Sequence, residues 1–269
     1  MATQSATLQY EEPEEGQPLP PKEMLPTMHD LPDEEVGQTG MPDIFHIWQP
    51  RLLDETFDPP NYDSEELFTA TDMNVYYNVH DFTQYKQPDW FAVVGLPKLE
   101  EKPEMRMSYV IWQEGVPPLV VVELLSPRTQ KEDLGQVLRA ANGSHTKWDV
   151  YERWLRVPYY ITFSRRTDDL RIFKLHGMRY EEVIGHQGRL WIEEAELGLG
   201  LWRGAYSGED RLWLRWYDRA GNWLLTKDER FEQERERAEQ ERQEKGAALH
   251  KAEKLAAKLR ELGIDPDRL

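Results

Sequence analysis

The chain reads as an α/β (α+β) protein with a charged helix appended at its C-terminal end. Three observations predict this class. Short runs rich in Val, Ile, Tyr, Phe and Trp, bounded by Pro, Gly and charge clusters, recur between Asp72 and Thr226, which is the pattern of strands. Trp148, Tyr151 and Leu155 recur at helical spacing inside Thr146–Val157. Residues 228–262 mix acids and bases without a single proline, as a solvated helix does.

The elements follow in order. Residues 1–43 hold seven prolines and ten acids, a composition that predicts a disordered acidic tail. The folded domain is expected over 44–227. It opens on Ile44-Phe-His-Ile-Trp48 and Leu52-Leu53, read as a short helix covering the core. Met73–Val79, Trp90–Val94, Ser108–Gln113 and Leu119–Leu125 read as strands. Lys131–Ala141 reads as a helix ended by Asn142-Gly143, and Thr146–Val157 as a helix stopped by Pro158. Tyr159–Phe163 is the next strand, followed by hairpin strands at Leu170–Leu175, Arg179–Ile184 and Arg189–Ile192, with a turn near Gln187-Gly188. Gly198-Leu-Gly200 lacks the helix and acid of a dinucleotide fingerprint and is a strand lead-in. Leu212–Tyr217 and Trp223–Thr226 close the strand-rich part. In 228–269 the second half offers a heptad seam, with Ala252 and Leu259 at a and Leu255 and Leu262 at d, whereas the first half is polar at d. This helix is a solvated face or a coiled coil that forms a homodimer.

Composition narrows the function. The chain has no cysteine, which excludes disulfides and thiolate metal sites and suits a reducing, cytoplasmic compartment. No apolar stretch reaches the roughly 18 residues of a membrane span, and the N-terminus has no signal-peptide pattern. The net charge of −17 opposes passive binding to nucleic acid. Residues 106–166, however, carry nine Lys and Arg against six Asp and Glu, so this segment is the least repulsive to a polyanion.

That segment also holds most of the candidate chemistry. Glu123 interrupts Pro118-Leu-Val-Val-Val-Glu-Leu-Leu125, a run apolar enough to be a buried strand. A buried carboxylate costs several kcal/mol unless a cation, a metal or hydrogen bonds compensate. Asp89, at the head of Trp90–Val94, supplies a second carboxylate. If the strands are neighbours, the pair suits Mg²⁺, which takes one or two carboxylates with water and substrate phosphate. Lys147 on the following helix is the nearby base, able to assist an attacking water or neutralise charge on a phosphate. Bland readings stand beside these: a turn aspartate after Pro88, a glutamate paired with Arg106 or Arg128, and a solvated lysine. Tyr151, one turn after Lys147, either orients that lysine or simply packs. His145 reads as a loop histidine, and Ser126-Pro127 as a turn. The histidines lack zinc-ligand spacing.

The residues Pro88-Asp89, then Glu123-Leu-Leu-Ser126-Pro127-x-Thr129, Asp133, Lys147-x-x-x-Tyr151 and Val157-Pro158-Tyr159-Tyr160 resemble a bacterial restriction-endonuclease family of the PD-(D/E)XK nuclease superfamily. The likeness includes Phe45-His46-x-x-Gln49-Pro50 and Ser108-Tyr109-x-x-Trp112-x-Glu114-Gly115. It implies a mixed β-sheet flanked by helices, with Asp89 and Glu123 as metal ligands and Lys147 as their basic partner. The implied activity is Mg²⁺-dependent (Mn²⁺ as substitute) endonucleolytic hydrolysis of DNA. Two departures stand out. Leu125 occupies the place of the superfamily lysine, and Asp133 is farther from Lys147 than in most members. The competing reading is an inactive nuclease fold that serves as a DNA-binding or protein-interaction module.

Overall fold

The computed structural model describes residues 43–96, 105–126, 129–137, 139, 144–183 and 188–261. The acidic tail, Arg128, Asn142-Gly143 and Gln187 lie outside these, apart from Asp43 at the tail's end.

The middle of the molecule is a six-stranded sheet ordered β1 (Leu67–Ala70), β4 (Trp90–Val94), β6 (Val120–Leu124), β7 (Tyr159–Ser164), β8 (Asp169–His176) and β9 (Arg179–Glu182). Every pair is antiparallel except β6 with β7. A parallel pair cannot be closed by a hairpin and needs a crossover. Here the crossover includes α3 (Gln130–Asp133) and α4 (Lys147–Asp149), the latter continuing as a π-turn over Val150–Trp154.

Strand alternation divides the core into two clusters. Trp90, Ala92, Val120, Val122, Leu124, Tyr159, Ile161 and Phe163 face one way. They pack on α1 (Ile44–Thr56) and on a second sheet of β10 (Arg189–Ile192), β11 (Leu197–Tyr206) and β12 (Glu209–Tyr217). Phe91, Val93, Val121 and Tyr160 face the other way, toward Val150, Tyr151 and Leu155 of the crossover. On that side lies a small sheet ordered β3 (Tyr85–Lys86), β2 (Val75–Tyr76), β5 (Tyr109–Val110). Strands buried on both faces have no polar side, which is why β4, β6 and β7 read as largely apolar runs, with Glu123 the charge out of place.

α1 forms where expected. Asp43 caps it, its carboxylate accepting from the N–H groups of Phe45 and His46 at 2.9 and 3.2 Å. Buried Gln49 behaves like a strand partner for β12, donating to Leu214 O at 2.9 Å and accepting from Leu214 N–H at 2.8 Å.

Several elements depart from the sequence reading. Within 73–79 only Val75–Tyr76 is strand, and after Tyr109–Val110 the chain turns into a helical turn, α2 (Ile111–Glu114), closed by Gly115 at φ 74°. The helix expected from Lys131 is only Gln130–Asp133, because Gly135 turns left-handed (φ 65°) and its close approach to Trp148 leaves no room for a Cβ. The helix expected over Thr146–Val157 ends at Trp154, and Arg156 beyond it turns left-handed with φ 54°. Trp223 contributes a single bridge to Tyr217 rather than a strand. β1 and β3 were not foreseen, and the Gly198-Leu-Gly200 lead-in belongs to the ten-residue β11.

α5 (Lys227–Glu261) matches the expected C-terminal helix. Thr226 and Glu229 exchange bonds at 2.8 and 3.2 Å as a capping box. Arg215, buried on β12, pairs with Glu229, donates to Leu224 O, and lies over the Trp202 ring. Beyond this pin the helix is exposed, Phe231 and Leu255 included. Among the described residues no helix is long and apolar enough to cross a membrane.

Candidate active site

The β4–β6 ladder brings the two acids together. The ladder ends at the pair Trp90↔Val122. Continuing that register by one residue puts Asp89 opposite Glu123, where facing Cβ atoms are about 5 Å apart. Pro88 has already left the ladder, its carbonyl accepting from Asp72 N–H at 3.1 Å. The Leu124 N–H therefore finds the Asp89 carboxylate, donating to Oδ2 at 2.5 Å.

Glu123 is 1% exposed, on the sheet face covered by the crossover. Lys147 Nζ donates to its Oε2 at 2.6 Å and Tyr151 OH to its Oε1 at 2.8 Å. Burial pushes the Glu123 pKa well above the ordinary carboxylate range, Lys147 opposes this, and Asp89 and Asp133 add to it. For Lys147 burial works against the charged form, yet Glu123, Asp133 and Asp89 together raise its pKa above that of a free lysine. The ammonium is the compensation the sequence demanded for a glutamate in an apolar strand.

Two local devices hold the lysine there. Thr146 caps α4, accepting from Asp149 N–H at 3.1 Å. Glu132 Oε1 accepts the Lys147 backbone N–H at 3.2 Å, tying α4 to α3. Tyr151 sits one turn further along, fully buried against Tyr160. It orients the glutamate, not the lysine.

Asp133 completes the acidic side of the cluster. It is 1% exposed, its Oδ1 has no hydrogen-bond partner, and Tyr160 OH donates to its backbone carbonyl at 2.9 Å. Burial, partly opposed by Lys147 and Thr129, raises its pKa from 3.8 to about 6.

Other expected residues fall elsewhere. Arg106 is not the glutamate's partner, since it forms a two-pronged pair with Glu114 at 2.7 and 3.0 Å and lies over Phe68. His145 bonds Asp149 at 3.1 Å beside Trp154, as a loop histidine does. Ser126 Oγ serves a turn with Thr129, accepting its N–H at 3.3 Å.

Two residues were missed. His46 Nδ1 lies 3.0 Å from Asp43 Oδ1 and Nε2 lies 3.3 Å from Leu124 O. Both neighbours only accept, so the doubly protonated ring satisfies both. Burial lowers the His46 pKa, but Asp43 and Asp89 more than offset it, and the net direction is upward. Lys86 on β3 is buried, with Nζ 3.7 Å from Glu132 Oε1. The one sequence signal for His46 is the Phe45-His46 pair in the resemblance; nothing marks Lys86.

Among the described residues no three histidine, aspartate or glutamate side chains converge as a metal-holding group. The Asp89–Glu123 pair offers hard oxygen donors alone, which fits an ion of the Mg²⁺ type that needs one or two carboxylates.

A family model, described as "Uma2: Putative restriction endonuclease", matches residues 14–206. The chain belongs to the Uma2 family. Uma2 is a family of the restriction-endonuclease-like PD-(D/E)XK superfamily, and the mixed sheet flanked by helices agrees with that fold. The Uma2 match takes in the acids, the lysine and the whole crossover, and ends where β11 ends, so β12 and α5 lie beyond it. No curated protein matches the chain.

Two outcomes follow from the buried charges. Lys147→Met leaves Glu123 without its cation and is expected to cost about 3–5 kcal/mol in urea unfolding. The Lys147→Met/Glu123→Gln double variant should recover most of that loss, and equal instability of single and double variants would contradict the pairing. Asp133, with its folded pKa raised to about 6, binds its proton more tightly folded than unfolded. Native stability should therefore fall as pH rises from about 4 to 6 and level off above, by on the order of 2–3 kcal/mol. Asp133→Asn should remove this residue's share of the fall and leave whatever Glu123, also pushed up, contributes. Thermal unfolding across pH 4–7 in chelator checks it, and identical pH profiles would refute the assignment.

Proposed function

We propose that this Uma2 protein is a Mg²⁺-dependent endonuclease that hydrolyses phosphodiester bonds in DNA. The observation that carries the reading is the pairing of Asp89 with Glu123 across β4 and β6, with the Lys147 ammonium on Glu123.

In this reading Asp89 and Glu123 hold the metal. When bound, Mg²⁺ (or Mn²⁺ in its place) supplies Lewis acidity at a phosphate oxygen and a more acidic water. The protein's own part is positional and electrostatic. Glu123 cannot swing, because Tyr151 and Lys147 hold its two oxygens. Asp89 is aimed by the Leu124 N–H. Lys147 keeps a positive charge beside the carboxylates, where charge builds on a phosphate in transfer. It takes over from the lysine displaced by Leu125, which is buried just past the end of β6. The shallow charge balance of the central segment leaves a polyanion free to approach.

The test is cleavage of plasmid and single-stranded DNA with Mg²⁺, with Mn²⁺ and with chelator. Metal-dependent cutting is expected, with Asp89→Ala and Glu123→Ala each reducing it at least about a hundredfold. Wild-type rates in either variant would dismiss the assignment. Calorimetry that finds no site at millimolar Mg²⁺ or Mn²⁺ would favour the inactive, interaction-module reading.

Dimerisation through α5 belongs to the same proposal, supported by the exposed seam residues Leu255 and Ala252. Light scattering should report a dimer that Leu255→Glu reduces to monomer; a wild-type monomer at micromolar concentration would end that idea.

A further inference from the structure

The crossover lysine is held tightly, and a second lysine near it is held only by a long ion pair. Lys147 is committed to Glu123 at 2.6 Å. Lys86 arrives from the small sheet, on β3, in register with Val75 of β2. Its side chain is 10% exposed and its ammonium stands 3.7 Å from Glu132 Oε1, too far for a strong hydrogen bond. That same Oε1 already accepts the Lys147 backbone N–H. Burial lowers the Lys86 pKa; Glu132 opposes this, Lys147 reinforces it, and Glu123 lies within the same field.

A desolvated cation whose one anion is 3.7 Å away and shared with the Lys147 N–H is only partly compensated, and an incoming anion is the natural complement. Position says which anion. Lys86 lies three residues before Asp89 on the link from β3 to β4, and the Glu132 carboxylate that faces it also holds the Lys147 N–H. There Lys86 meets the field of two further groups, Glu123 and Lys147. We propose that Lys86 is the phosphate-binding cation of the site, donating to a non-bridging oxygen of the DNA phosphodiester held beside Asp89 and Glu123. The proposal rests on the nuclease reading and adds to it a division of labour. Lys147 stabilises the buried glutamate, and Lys86 meets the substrate.

A purely structural Lys86 would steady Glu132 and, through it, the start of α4. The two roles separate in binding measurements. Anisotropy of a fluorescein-labelled duplex oligonucleotide is recorded with Ca²⁺ and with chelator, over a salt series, for wild type, Lys86→Gln and Lys86→Arg. Loss of one phosphate contact should weaken binding about tenfold and lower the slope of log affinity against log salt by about one. Lys86→Arg should restore the slope. A structural lysine would shift thermal unfolding and leave the slope alone. Because Lys86→Gln can unfold the site, wild-type protein is also dimethylated reductively with and without the duplex. Lys86 should be protected relative to exposed Lys245. A wild type that cleaves DNA while Lys86→Gln keeps the wild-type slope, or while bound duplex leaves Lys86 unprotected, overturns the role of Lys86 alone. A wild type that neither binds nor cuts the duplex overturns the nuclease reading and this proposal with it.

Discussion

The structure depends on one buried ion pair. Glu123 lies in the middle strand of the main sheet, with apolar neighbours along its own strand and aromatic rings on the strand beside it. A carboxylate there is tolerable only with a cation in contact, because desolvation outweighs anything the sheet itself returns. Lys147 must therefore be brought to within hydrogen-bonding distance, and the chain between β6 and β7 is what brings it. The crossover that a parallel pair requires for topological reasons is the same segment that supplies the charge. Tyr151, four residues on, occupies the glutamate's other oxygen, so the carboxylate is held at both ends by one turn of backbone.

This arrangement accounts for the displaced lysine. With Leu125 two positions after Glu123, β6 itself has no cation to offer, and Leu125 packs as a buried apolar residue instead. The amine comes from another element, yet it reaches the same carboxylate face. What the buried glutamate requires is a positive charge at that point in space, and the element that bears it is secondary. The left-handed Gly135, lying against Trp148, lets α3 and α4 pack tightly enough for Glu132 to hold the start of α4. At the same end of the ladder, His46, bonded to Asp43, lies against the Leu124 carbonyl. Asp43 also pairs with Arg165 just beyond β7, so the cap of α1 is tied to the central sheet.

Legibility in the sequence followed burial. β4, β6 and β7 are flanked on both faces, and their predominantly apolar runs declared them to within a residue. The long charged helix was equally plain, since nothing but a solvated helix suits that composition. The paired residues of β2, β3 and β5 were not legible, because a two-residue strand has no period and exists only through its neighbours' hydrogen bonds. Glu123 announced itself as a charge out of place, and Asp89 as the acid at the head of the adjoining run. Lys147 was reachable through the family likeness, but not from its own surroundings, which look like those of any helix lysine. Lys86 carried no signal at all.

By itself the sequence determined that a carboxylate would be buried in a central strand and that a compensating charge had to exist, because composition alone sets the cost of desolvation. It also determined the fold class, through runs too apolar to be anything but interior strands. Only the tertiary structure decided which cation answers the glutamate, which hydroxyl fixes it, and that Asp133 and Lys86 lie in the field of Lys147 and His46 in that of Asp89. Those choices depend on register and on the path of the crossover. Both are products of packing between residues distant in the chain, and no local pattern encodes them.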